Sequence, residues 1–176
     1  WVADESTIGA TPSQDVRGKP HIVATEVSGV VYLFVVWTDF RDSRYDVYFN
    51  YSADGGTTWQ SSDQILARSS KQSYAQRDPV IAVKAGTTSV YVAWRDDRDM
   101  LDHIYFQQGE LSSGSFRWGV DLDEDGDLSK SDEQDIDIRA DDEAATSTTS
   151  LDKPDIAAAG GQVYVVWHDS DGVIKC

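Results

Sequence analysis

Cysteine is almost missing from this chain. The one present, Cys176, closes the 176 residues, so no disulfide can form within it. That usage fits a bacterial or cytosolic origin, and equally a secreted protein large enough to fold without cross-links. Glutamate is scarce as well: only Glu5, Glu26, Glu110, Glu124, Glu133 and Glu143 occur, and the remaining acid is aspartate. Helix-rich acidic proteins lean on glutamate, the better helix former. Aspartate suits turns, loops and calcium sites. Long apolar runs are absent too; the longest, Val30 to Trp37, is too short to cross a bilayer. Basic residues are outnumbered 15 to 31, for a net charge of −16. With no basic patch to offset that charge, nucleic acid and anionic lipid are excluded as partners, and no membrane insertion is expected.

What the chain has in abundance is self-similarity. "KPHIVATEVSGVVYLFVVWTDFRD" from Lys19, "RDPVIAVKAGTTSVYVAWRDDRD" from Arg77 and "KPDIAAAGGQVYVVWHDSD" from Lys153 share one plan. Each runs proline, short apolar strand, turn with glycine, longer apolar strand, then Trp-x-Asp. The tryptophans are Trp37, Trp94 and Trp167, and the aspartates Asp39, Asp96 and Asp169. "YDVYFNYS" from Tyr45 matches "DHIYFQQG" from Asp102, and "DGVIKC" from Asp171 stands in the same place. A fourth segment also recurs: "WVADESTIGA" from Trp1, "WQSSDQILARS" from Trp59 and "DIDIRADDE" from Asp135.

One unit thus holds four strands rich in valine, isoleucine, tyrosine and phenylalanine, separated by Gly, Asp, Asn and Ser. No segment sustains a helical period. In the second strand Val31, Leu33 and Val35 alternate with Tyr32, Phe34 and Val36, so both faces are apolar. Such a strand needs a layer on each side of its sheet. Four-stranded antiparallel sheets stacked around an axis meet that need, and the expectation is an all-β chain folded as blades of a β-propeller. A β-sandwich is the competing architecture, but it predicts polar outer faces that these second strands lack.

The stretch "SADGGTTW", Ser52 to Trp59, falls at the hairpin between the third and fourth strands, with Trp59 expected to begin the fourth. Asp54 can accept hydrogen bonds from the turn's own backbone and hydroxyls, and Gly55 and Gly56 allow positive φ. Ser52, Asp54, Gly56, Thr58 and Trp59 resemble, position for position, the Asp-box or BNR repeat of the sialidase-like β-propellers. The second copy, "QQGELSSGSFRW", keeps Trp118 and loses the aspartate. The Trp-x-Asp-x-Arg turns (Trp37, Asp39, Arg41; Trp94, Asp96, Arg98) are similar to those of bacterial surface and secreted propellers of that superfamily. The resemblance implies a fold element placed away from the catalytic face.

The expected organisation is a single partial propeller over 1–176. Residues 1–18 are the fourth strand of a preceding blade, 19–70 a blade, 77–140 a blade carrying an insertion at 121–134, and 153–176 an incomplete blade. Cys176 is aligned with Asn50 and Gln107. About three blades fall below the usual range of four to eight, so the expectation is a fragment of a six-bladed or longer propeller. Self-association of two chains into one ring is the alternative.

The insertion carries the sharpest chemistry. In "DLDEDGDLSKSDEQ", Asp121, Asp123 and Asp125 occupy loop positions one, three and five. Gly126 sits at the sharp turn, Asp127 offers its backbone carbonyl, Leu128 is the apolar position, and Asp132 closes the loop. Alternate oxygens of a curling loop converge on one centre, which suits a hard cation with several ligands. The expectation is a structural Ca2+ site built from Asp121, Asp123, Asp125, Asp127 and Asp132. Aspartate at the closing position resembles dockerin-type loops more than helix–loop–helix sensors, and "SGSFRWGV" upstream reads as strand or turn. A solvated acidic loop is the alternative.

No catalytic group can be named. Sialidases, as the resemblance implies, use an arginine triad, a Tyr–Glu nucleophile pair and an aspartate acid/base, with a first arginine in a Phe/Tyr-Arg-Ile-Pro motif that is absent here. Arg41 and Arg98 recur at one place in successive units, which points to a fold role, with Asp42 and Asp99 as candidate partners. His21, His103 and His168 share no metal-ligand spacing. His168 reads as a variable loop residue. The expected function is a non-catalytic, secreted or cell-surface propeller module that binds glycan or protein. The alternative is part of a sialidase-like exo-glycoside hydrolase whose catalytic residues lie mostly outside this chain.

Overall fold

A computed structural model describes residue 8 and residues 19–41, 43–66, 75–98, 100–119, 138–140 and 151–176. They form an all-β arrangement of antiparallel sheets. The first sheet holds β1 (His21–Val27), β2 (Val30–Asp39), β3 (Asp46–Ser52) and β4 (Gln64–Ile65) in sequence order. The second holds β5 (Gln76–Val83), β6 (Val90–Asp96), β7 (His103–Ser112) and β8 (Ser115–Gly119), with β9 (Ile138–Arg139) also paired to β7. The third holds β10 (Leu151–Ala159), β11 (Gln162–Asp169) and β12 (Ile174–Lys175).

Turn chemistry sets these hairpins. Ser28–Gly29, Ser113–Gly114 and Gly160–Gly161 have positive φ at both positions, the signature of tight turns whose twist matches the flanking strands. Pro20 stands just before β1, whereas in the second and third sheets the recurring proline marks a break in the first strand. Asp78 (φ 53°) precedes Pro79 and Lys153 (φ 49°) precedes Pro154. The ladder shifts register between Arg77 and Val80 and again between Asp152 and Asp155. A residue without an N–H is tolerated at such a bulge.

The three tryptophans occupy one register. Trp37 pairs with Tyr48, Trp94 with Tyr105 and Trp167 with Lys175. This puts Cys176 level with Phe49 and Phe106, one position short of the alignment read from the sequence. The cause is a shorter turn before β12, closed by Gly172 N–H donating to Asp169 O. The fourth strand is also shorter than expected. Gln60 N–H reaches Tyr51 O, but regular pairing starts at Gln64, so Trp59 precedes β4 instead of opening it.

The sheets pack face to face through two cores. Phe34, Val36, Phe49 and Leu66 of the first sheet meet Ile81, Val92, Trp94, Phe116 and Trp118 of the second. Tyr91, Ala93 and Ile104, on the second sheet's other side, meet Leu151, Ile156 and Trp167 of the third. The second sheet is therefore buried on both faces, and Trp94 is fully enclosed. Gly109 lets the Trp118 ring lie flat on its strand, for a Cβ there would stand 2.6 Å from the ring. Hydrogen bonds also cross between sheets. Ile81 N–H donates to His21 Nδ1 (3.0 Å), and Trp118 Nε1 donates to Gln64 Oε1 (2.6 Å). Gln76 N–H donates to Tyr45 O, and Leu151 N–H to Asp102 O, so the step from one sheet to the next is made the same way twice.

Candidate functional site

In a meander of this kind the turns alternate between two ends. The β1–β2 and β3–β4 turns lie at one end, and the Trp-x-Asp-x-Arg turns after β2 and β6 at the other.

The Ser52–Trp59 hairpin is held by its own polar groups. Ser52 Oγ donates to Asp54 Oδ1 (2.7 Å) and accepts from Gly56 N–H (2.8 Å). Asp54 also accepts from Thr58 N–H (2.8 Å) and Thr58 Oγ1 (2.6 Å). These donors, the Thr58 hydroxyl foremost, favour the carboxylate and lower its pKa to about 2. Every strong acceptor of Asp54 is turned onto the turn itself. Gly55 N–H ties the hairpin to Val31 O, and Trp59 packs with the cluster of Val35, Trp37 and Tyr48. The octet is architecture.

The opposite end repeats another device. Asp39 Oδ1 accepts from Arg41 N–H, and Asp96 Oδ1 from Arg98 N–H, both at 2.9 Å. Asp169 Oδ1 accepts from Asp171 N–H at 3.1 Å. Each arginine then folds back on its own aspartate and lies over a tyrosine, Arg41 over Tyr48 at 4.1 Å and Arg98 over Tyr105 at 3.9 Å. Asp42 and Asp99, the partners expected from the sequence, lie outside the described residues. Arg41 has a second carboxylate, Asp63, which also accepts from Asn50 Nδ2 (2.8 Å). Burial opposes the Arg41 charge, but its bonds to Asp39 and Asp63 outweigh it and raise its pKa. Asp63 was missed from sequence, though its match in the fourth segment, Asp137, is a legible signal. Arg44 pairs with Asp46, Arg77 with Asp97, and Arg95 faces Asp78, Asp102 and Asp152. These arginines are thus committed to the chain's own carboxylates. His168 lies on β11 opposite Asp152, on a strand instead of a loop.

The predicted metal ligands Asp121, Asp123, Asp125, Asp127 and Asp132 lie outside the described residues. The described residues do fix where that insertion is rooted. β8 leaves at Gly119 opposite Gln108, and β9 re-enters at Ile138 opposite Phe106, both on the same edge of β7. Two ladder positions separate the roots, so they stand about 7 Å apart along the strand. In the first sheet the same edge carries only residues 61–63 between Gln60 and Gln64. The two ends of the insertion are therefore held near each other on one sheet edge. Among the described residues no cluster of His, Cys, Asp or Glu could hold a metal ion.

A cleft of about 170 Å³ lies between the β5–β6 and β10–β11 hairpins, lined by Lys84, Ala85, Tyr91 and Ala158 to Gln162. It is smaller than the usual ligand pocket. No helix among the described residues is long and apolar enough to cross a membrane. No family model, curated protein or solved structure matches the chain.

Proposed function

We propose that this chain is a run of blades from a BNR/Asp-box, sialidase-like β-propeller that serves as a non-catalytic binding module for glycan or protein. It acts outside the cell or at its surface, and bacterial origin fits its cysteine usage. Its calcium loop, Asp121 to Asp132, stiffens an acidic insertion that would otherwise repel itself. The observation that carries the non-catalytic reading is the engagement of Arg41 and Arg98. Each is bound to its own turn's aspartate and stacked on a tyrosine, in one geometry in two successive sheets. A substrate-binding arginine keeps its fork free for the substrate, whereas these hold the turn closed. The propeller reading is supported by the shared register of Trp37, Trp94 and Trp167 and by the burial of the second sheet on both faces. The calcium reading rests on the ligand spacing and on the two ends of the insertion held near each other at Gly119 and Ile138.

Titration calorimetry with calcium chloride tests the loop. The chain should bind one calcium per molecule, and Asp123→Ala should lose that heat or weaken binding at least tenfold. Equal heats from both proteins would remove the loop as a calcium site.

A further inference from the structure

One register position is satisfied differently in successive sheets. Ile81 of β5 pairs with Val92, and Ile156 of β10 with Val165, the same place in the ladder. Both are buried, Ile81 at 1% exposure. The Ile156 N–H is accepted within its own strand, by Asp155 Oδ1 at 2.9 Å. The residue before Ile81 is Val80, whose side chain has no acceptor. The Ile81 N–H is accepted from the preceding sheet instead, by His21 Nδ1 at 3.0 Å. His21, Val80 and Asp155 hold one position, each just after the recurring proline.

That bond fixes the state of the ring. Nδ1 accepts only from a neutral imidazole with its proton on Nε2; a protonated ring has two N–H donors and no acceptor. Protonation would set donor against donor and leave a buried N–H without a partner. Val36, opposite His21 on β2, is apolar, and Thr38 further along that strand carries no charge. The charged side chains of β5, β6 and the turn after β6 are paired with one another: Asp78 with Arg95, Arg77 with Asp97, and Asp96 with Arg98. Lys19, two residues before His21, is exposed. The far end of β1 is held by a bond that does not titrate, Gly86 N–H donating to Thr25 Oγ1 at 3.1 Å.

We propose that His21 is an acid-sensitive latch between the first and second sheets. Neutral, it ties the start of β1 to β5. Protonated, it releases that end, while Thr25 keeps the other end pinned as a pivot. The release falls at the end that carries the Trp-x-Asp-x-Arg turns. The latch contributes fully above the ordinary imidazole range and is lost as pH falls through it. It works in the same way whatever the module binds.

Amide hydrogen exchange by NMR on the full chain tests this at about pH 7.5 and about pH 5.5, either side of the free imidazole value of about 6.5. After correction for the intrinsic rate, Ile81 protection should fall about tenfold at the lower pH, the scale of a buried donor losing its acceptor. Ile156 protection should hold. His21→Asn places an amide oxygen, which does not titrate, within reach of the same N–H. Its Ile81 protection should be equal at both pH values. Wild-type Ile81 protection that ignores pH would overturn the latch. So would a parallel fall at Ile156, or the same fall in His21→Asn. The contrast between Ile81 and Ile156 in the wild type decides the matter even where the variant does not fold.

Discussion

Single carboxylates in this protein are assigned to single turns, and Asp54 shows how far such a residue can be committed. It is exposed, yet three donors from Ser52 and Thr58 hold it ionised. Its pKa lies near 2, against an ordinary 3.8. The charged form is favoured in the folded hairpin, so the contribution is complete above the ordinary value. It fades as pH falls through the folded one. Thr58→Val removes the hydroxyl that contributes most. The Asp54 pKa should rise toward 3.8, and the acid limb of unfolding should move to higher pH. A carboxyl-carbon NMR titration of wild type and variant reads this, and an unchanged midpoint would contradict the assignment.

At the scale of the element, the turn after each second strand is a unit in which Asx geometry, an ion pair and a ring stack act together. In the second sheet Asp96 is buried and also accepts from Gln76 Nε2 and Trp94 Nε1. Removing Arg98 leaves that carboxylate without its cation. Arg98→Met should therefore cost about 3 kcal/mol, the range for a broken buried pair. Arg98→Lys should recover only part of it, because an ammonium lacks the planar fork that spans Asp96 and lies on Tyr105. Urea unfolding measures both. A loss within a few tenths of a kcal/mol would make the pair decorative. These turns were legible in the sequence because Trp-x-Asp-x-Arg recurs, as were the strands, through their apolar alternation. The second carboxylate of Arg41 was missed: Asp63 is distant in sequence from Arg41, and only its match to Asp137 in the fourth segment sets it apart from Asp42. The proline of each unit was legible as punctuation, but the place of Pro79 and Pro154 at a bulge depends on the neighbouring strand. The Asp121–Asp132 ligand set was legible as spacing, whereas the rooting of the insertion at Gly119 and Ile138 depends on the edge of β7.

For the whole molecule, sheets that touch only their neighbours make a stack, and stability in a stack is a sum of sheet and junction contributions. Among the described strands the second sheet has two junctions, and the first and third have one each. The outer sheets should then open at lower free energy than the middle one. A two-sheet sandwich, with every strand in one shared core, would give no such gradient. Native-state hydrogen exchange on the full chain measures this most directly. The slowest amides should be those of Val92, Ala93, Trp94 and Ile104, with Val35 and Val165 exchanging through smaller openings. Equal protection across the three sheets, or greatest protection in β11, would contradict the stacked arrangement.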